Sequence, residues 1–510
     1  MKADLLLTNG PVYSGVHGKP FQYLAVSGNR VVGIGRGSGK KYIGRKTTVI
    51  DLRGKAITPG IIDSHLHLLD YAWSLDRINL ERCRNAQEVV AALQTYIGSG
   101  EWIRGRGWNR EQFGGFPHKK ILDEIFPDRP VALNSRDGHF LWANSAALRR
   151  ARFSHAEEVP GGYIGRDAAG ELDGIFGENA VGLVLSHVTK PDAESRRNSL
   201  LEAQWRLHAL GVVGLHSTDG NQAFGDLQDL QAESKLKLRV FHSIPLSQLE
   251  EATKVQLKSG LGDSWFRFGF VKIFSDGTLG SHSAAMLEPF QETETLGLDT
   301  ITQEELSEKI HLALSNGIAV AVHAIGDRAN RQTLNAFEKN AALLNVPSAR
   351  SRIEHAQLLH PDDIPRFAKI GIVASMQPHH AISDYELAKR YWGKRSDYSY
   401  AWRSLRDAGA TLIFGSDAPI ENPDPLEGLS AAVHRSNWEN RVQTVTPLQA
   451  LASYTIQPAA ASGESQERGS LVAGKLADFV LFSEDPIKAE FKNCKVVGTV
   501  IDGKFVYQDF

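Results

Sequence analysis

Eight short apolar strands recur through the middle of the chain, and their alternation with helical segments limits the fold more than any other feature. The strands fall near 61–66, 211–217, 238–244, 269–274, 318–323, 351–356, 371–376 and 411–416. Helical stretches separate most of them, at 193–210, 303–316, 327–344, 362–369 and 398–408. Repeated strand–helix units predict an α/β fold whose strands close into a parallel (β/α)8 TIM barrel.

The two ends of the chain read differently. Residues 1–56 and 468–510 are short alternating strands punctuated by hairpin-type turns at Ser27-Gly28-Asn29 and Asp502-Gly503. Chain termini often lie close together. The two segments are therefore expected to pair into one small β-sandwich domain, with the barrel at 57–467. The other reading is two separate β-extensions. Residues 70–195 lie between the first and second strands and carry strand-like and helical pieces of their own. That is too long for a loop, so it reads as an insertion within the barrel. Loops after barrel strands face the catalytic end, so the insertion is expected to cap the active site. The alternative is a remote stabilising appendage.

A chain of 510 residues has room for one large barrel with additions. A net charge of −2 gives no reason to expect nucleic acid or an anionic membrane as partner. Two cysteines, Cys83 and Cys494, stand far apart, so neither a disulfide framework nor a cysteine zinc site is expected. The apolar stretch of MKADLLLTNGPVYSG is short for a signal peptide and breaks at Asn9-Gly10. No run approaches the length of a membrane span. The expectation is a cytoplasmic protein with a small-molecule substrate, and homo-oligomerisation is allowed.

The strand ends carry the chemistry. The first strand, in PGIIDSHLHL, ends in His65 and His67, which share a face because side chains i and i+2 on a strand do. Lys272 interrupts the apolar fourth strand, His323 ends the fifth, His355 ends the sixth and Asp417 follows the eighth. Each has a plain alternative. A lone histidine can be a hydrogen-bonded structural residue, Lys272 can pair with Asp276 or Glu178, and Asp417 can cap a helix. Together, at strand ends that converge in a barrel, they point to a divalent metal such as zinc. Such a metal brings the pKa of water towards about 7 and polarises a carbonyl. A nearby aspartate can then act as general base.

The segments PGIIDSHLHL, VKIFSDGTLGSHSA, VHAIGDRA, RIEHAQL, SMQPHH and GSDAP resemble the amidohydrolase superfamily, specifically amidohydrolase family 3, the N-substituted formamide deformylase-like branch. The resemblance extends into the insertion, through GxGW at 105–108, DGHFLWANSAAL at 137–148 and GENA at 177–180. It implies one metal held by His65, His67 and Asp417 and a second held by His323 and His355. Lys272, N-carboxylated, would bridge them. It also implies hydrolysis of a C–N bond in an amide, N-formyl or cyclic amide by metal-activated hydroxide, with Asp417 as general acid and base. One departure is Asn109, where many relatives carry aspartate. Alternatives on the same fold are a deaminase, an ester or lactone hydrolase, or a non-catalytic metal-binding protein. Deaminases of the superfamily carry an HxxE acid after the fifth strand. Here His323 is followed by Ala-Ile-Gly-Asp, against that type.

Candidates for substrate contact are Trp108, His139, Asp276, Arg328, Gln377 and His379, with His380 beside them. Packing within the insertion competes for Trp108 and His139, and solvent exposure for Arg328. Asp327 is read as a helix start, and Glu354 as packed behind the site.

Overall fold

The computed structural model describes residues 2–510 apart from 17, 96–100, 137–139, 153–158, 160–161, 179, 189–191 and 439–440. The chain divides into two compact units, Met1–Tyr71 with Leu200–Phe510, and Ala72–Ser199.

The first unit contains the barrel. Its strands, numbered in chain order, are β1 (Ile61–Leu66), β2 (Val212–Ser217), β3 (Arg239–Pro245), β4 (Phe266–Phe274), β5 (Ala319–Ala324), β6 (Arg352–His355), β7 (Val373–Met376) and β8 (Thr411–Phe414). They pair in that order, and every neighbouring pair is parallel. Runs such as AVAVHA in β5 and VASM in β7 are buried on both faces, as a parallel sheet covered by helices requires. The predicted helices form at Ala193–Ala209, Gln303–Ser315, Asp327–Lys339, Ile364–Ile370 and Trp402–Asp407. Asp327 does open its helix. Two further helices, Asn221–Ala232 and Leu249–Lys254, follow β2 and β3 without a side-chain cap to announce them.

The seam between β8 and β1 is stitched by one buried carboxylate and by backbone. Asp63 Oδ1 accepts from His65 N at 3.1 Å and Ser416 N at 3.0 Å. Asp417 N donates to His65 O at 2.7 Å, and His67 N to Ala418 O at 2.9 Å. Gly415 allows this approach, since a Cβ there would lie 2.4 Å from His65 N. The seam thus fixes two strand ends, and with them His65, His67 and Asp417, against each other.

Strands from both chain ends share one sheet. Its order is Lys504–Gln508, Val496–Ile501, Phe479–Phe482, Ala56–Pro59, Leu5–Val12, Phe21–Ser27, Arg30–Gly35, with Thr48–Asp51 branching from Leu5–Val12. Both chain ends therefore contribute to a single branched sheet, where a β-sandwich was expected. Leu7, Val12, Leu24, Ile57, Phe479 and Leu481 form its core. Asp502 and Gly503, both with positive φ, make the tight turn between the last two strands. Arg239 of β3 anchors this sheet to the barrel, through Nε to Asp478 Oδ2 (2.6 Å) and Nη2 to Asp478 Oδ1 (3.0 Å) and Asp502 Oδ1 (2.6 Å).

The second unit has a six-stranded sheet around Ile103–Trp108, Val131–Ser135 and Phe140–Ala143. Its core gathers Trp108, Trp142, Leu133 and Ile175. Among the described residues of the whole chain, no helix is long and apolar enough to cross a membrane.

Candidate metal centre

The barrel strands deliver the predicted groups to one place. Ring centroids of His65 and His67 lie 5.6 Å apart, His65 and His355 4.9 Å, and His323 and His355 4.5 Å. Asp417 Oδ1 lies 3.4 Å from His65 Nε2 and 3.3 Å from His67 Nε2. Ligands at about 2.0–2.1 Å on a tetrahedron stand roughly 3.3–3.4 Å apart, so these atoms already have the spacing of a metal's coordination edges. His65 Nε2 is buried with no hydrogen-bond partner. A buried polar atom without a partner is uncommon and calls for an explanation. A metal ion provides one, and the donor set of imidazole and carboxylate suits zinc-like ions.

Three of the four imidazoles are oriented from behind. Glu354 Oε2 lies 2.7 Å from His65 Nδ1, which puts the proton on Nδ1 and leaves the Nε2 lone pair facing the centre. Gln377 Oε1 lies 2.9 Å from His355 Nδ1, and Gly277 O lies 3.2 Å from His323 Nε2. His355 therefore presents Nε2, and His323 presents Nδ1. Glu354 sits behind the histidines, as the alternation along β6 anticipates, with the buried Arg352 guanidinium 3.8 Å from its other oxygen.

The electrostatics keep most ligands in the forms a metal needs. Burial, reinforced by Lys272, lowers the pKa of His65 and takes that of His323 down to about 3. Burial and the neighbouring His323 hold His355 well below its ordinary value. Burial alone would raise the carboxyls of Asp417 and Glu354, but the surrounding histidines outweigh it. Asp417 stays well below the usual range, and Glu354, helped by Arg352 and Lys272, falls to about 2. His67 goes the other way. Burial lowers its pKa, but the Asp417 carboxylate prevails and raises it.

Lys272 is buried on β4, and burial lowers its pKa despite the pull of Glu354 and Asp417. The pairing with Asp276 does not form. The Asp276 carboxylate is occupied by backbone, accepting from Ala285 N (2.9 Å), Ile325 N (3.0 Å) and Gly326 N (2.9 Å). Asp276 was expected to face substrate, yet it is 2% exposed and braces the loops after β4 and β5.

The other substrate candidates separate. Trp108 is in the core of the second unit, its Nε1 donating to Leu133 O at 2.8 Å and its ring against Trp142 and Phe113. Its apolar surface is used for packing, so the pocket-lining expectation is corrected. His139 lies outside the described residues. Arg328 is paired with Asp299, at 3.3 Å from both Nε and Nη2, and is not a free anion contact. Gln377 is committed to His355. His379 remains half-buried, 3.1 Å from Glu427 Oε2. Asp417 does not cap a helix, since the next one, Pro425–His434, is capped by Asp424.

Two more groups stand beside the ligands: His380, already a candidate for substrate contact, and Asp219, which was not foreseen. His380 Nε2 lies 3.2 Å from Asp417 Oδ2, and its Nδ1 lies 3.4 Å from Glu421 Oε1. Asp219, whose side chain accepts from Leu69 N, brings a carboxylate near His67 and Asp70. The polar run HSTDG at the end of β2 was the available signal for Asp219. Asp417 (φ 62°) and His355 (φ 73°) both adopt the left-handed backbone region. Such conformations concentrate at functional sites.

The chain resembles known proteins in sequence and in fold. The amidohydrolase family pattern matches residues 48–507. The chain is 34% identical to the LONG AFTER FAR-RED 3 protein of Arabidopsis thaliana, over 99% of this chain and 92% of that protein. It is 27% identical to the N-substituted formamide deformylase of Arthrobacter pascens, over 99% and 98% respectively. The solved structure of a metal-dependent hydrolase from Pyrococcus furiosus superposes with a TM-score of 0.81 at 29% identity, covering 95% of this chain and 100% of that one.

Proposed function

The chain belongs to the amidohydrolase family, and from that premise we propose that it is a zinc-dependent hydrolase opening the C–N bond of an amide, N-formyl or cyclic amide. The observation that carries this reading is the convergence of His65 Nε2 and His67 Nε2 on Asp417 Oδ1, at 3.4 and 3.3 Å. His65, His67 and Asp417 would hold one ion, and His323 and His355 a second.

Bound there, the metal supplies hydroxide at neutral pH and Lewis acidity towards a carbonyl. The chain's own residues do the rest. Asp417 takes the proton of the attacking water on one carboxylate oxygen and delivers it to the departing nitrogen. His380, 3.2 Å from Oδ2, holds that carboxylate in line. Glu354, Gln377 and Gly277 fix the tautomers and angles of the three oriented imidazoles.

In this reading Lys272 would carry a carbamate formed with carbon dioxide. Burial favours its neutral amine, the form that reacts, and the product would be an anion able to bridge the two pockets. The C–N preference draws on the likeness to the formamide deformylase. The test is a substrate panel of N-formyl amines, amides, cyclic amides, esters and lactones offered to zinc-loaded protein. Turnover of C–N substrates is the expected result. Turnover confined to esters and lactones would refute it.

A further inference from the structure

His65 and His355 are neighbours, yet they are held by chemically different partners. A carboxylate backs His65, with Glu354 Oε2 at 2.7 Å from Nδ1. A neutral amide backs His355, with Gln377 Oε1 at 2.9 Å from Nδ1. His323 is backed by a neutral carbonyl, Gly277 O at 3.2 Å from Nε2. Asp276 Oδ1 stands farther off, 3.5 Å from the same nitrogen, and is engaged by backbone amides. Glu354 is fully buried and Gln377 is 1% exposed, so solvent dilutes neither contact.

An imidazole whose N–H donates to a carboxylate is a more basic ligand through its other nitrogen, and such outer partners change metal affinity by roughly 10–100-fold. Charge adds to the difference. Asp417 Oδ1 faces His65 and His67, whereas its Oδ2 is turned to His380 and stands 4.0 Å from His355 Nδ1. The first pocket thus has anionic support both at and behind its ligands. In the second, His355 is backed by a neutral amide, and His323 hydrogen-bonds a neutral carbonyl with the Asp276 carboxylate at the longer distance of 3.5 Å.

We infer that the two metal pockets are graded in strength, with Glu354 making the His65–His67–Asp417 pocket the one that fills first and Gln377 keeping the His323–His355 pocket weaker. This rests on the metal-dependent reading above and deepens it. Gln377 is a positioning residue whose neutrality sets the affinity of the second pocket. Its own Nε2 is buried without a hydrogen-bond partner, which is no gain to the fold. The position can therefore take a carboxylate of the same size.

The test is a cobalt titration of the chelator-stripped full chain, followed by the visible d–d absorption and by calorimetry. The wild type is expected to fill in two steps, with dissociation constants separated by about tenfold or more. Gln377→Glu is expected to tighten the second step by roughly tenfold or more and leave the first in place. Glu354→Gln is expected to weaken the first step by a similar factor. A merely structural role for Gln377 could only weaken binding, so selective tightening distinguishes the two. A single step in the wild type that becomes two in Gln377→Glu is the extreme form of the expected result. Two equal steps in the wild type, or a titration that Gln377→Glu leaves unchanged, overturns the inference while the metal-dependent reading stands. Absence of any cobalt uptake overturns both.

Discussion

Asp417 Oδ2 lies 3.2 Å from His380 Nε2, while Oδ1 of the same carboxylate faces His65 and His67 at 3.4 and 3.3 Å. One oxygen is placed to bind and the other to be steered. Asp417 itself has a positive φ of 62°, and its backbone N donates to His65 O at 2.7 Å.

Asp417→Asn keeps the volume and the backbone geometry but removes the base. Hydrolysis should fall by roughly 10²–10⁴-fold with the melting temperature little changed. Steady-state kinetics alongside a thermal melt check this, and retained turnover would remove Asp417 from its assigned role.

Asp276→Ala strips the acceptor from Ala285 N, Ile325 N and Gly326 N. Each buried amide left unpaired costs roughly 1–3 kcal/mol. The variant should melt earlier, and turnover should drop because the loop carrying Gly277 and the loop that follows His323 lose their brace. Unaltered melting would show that this carboxylate is not structural.

Asp478→Ala leaves the Arg239 guanidinium buried with only Asp502 as ionic partner. Breaking a buried pair in this way costs about 3–5 kcal/mol. Denaturant unfolding should show that loss, with the metal ligands untouched. A loss well below 1 kcal/mol would mean that the Arg239–Asp478 pair does not hold the terminal sheet to β3.

Acid sensitivity has a source away from the metal centre. Burial pushes the His208 imidazole down to about 4, with Lys237 O at 3.1 Å from its Nε2. In the unfolded chain a histidine titrates near about 6.5. Between these values the unfolded state binds more protons, so stability is lost as pH falls from about 6.5 towards 4, by on the order of 3 kcal/mol. His208→Gln should flatten that slope in unfolding measurements across the window. An unchanged slope would place the sensitivity elsewhere.

The barrel was legible because its parallel strands are continuous apolar runs, a pattern that survives without tertiary information. His65, His67, Lys272, His323, His355 and Asp417 were legible for a related reason, as polar groups standing out at the ends of such runs. Glu354 was placed behind the site by the two-residue period of β6. The partners of the ligands were harder to read. Asp276 and Gln377 look from sequence like groups facing a pocket, and only the fold shows that backbone amides and an imidazole have taken them. Trp108 failed differently. An aromatic beside glycines reads equally well as a pocket wall or a core, and Leu133, Trp142 and Phe113 decided for the core.

The most direct test of the central claim is to strip the purified protein with a chelator and measure hydrolysis of a C–N substrate against added zinc. Turnover should be absent without metal and return in proportion to the zinc bound, saturating at no more than about two ions per chain. Full turnover by protein shown to be metal-free would contradict it.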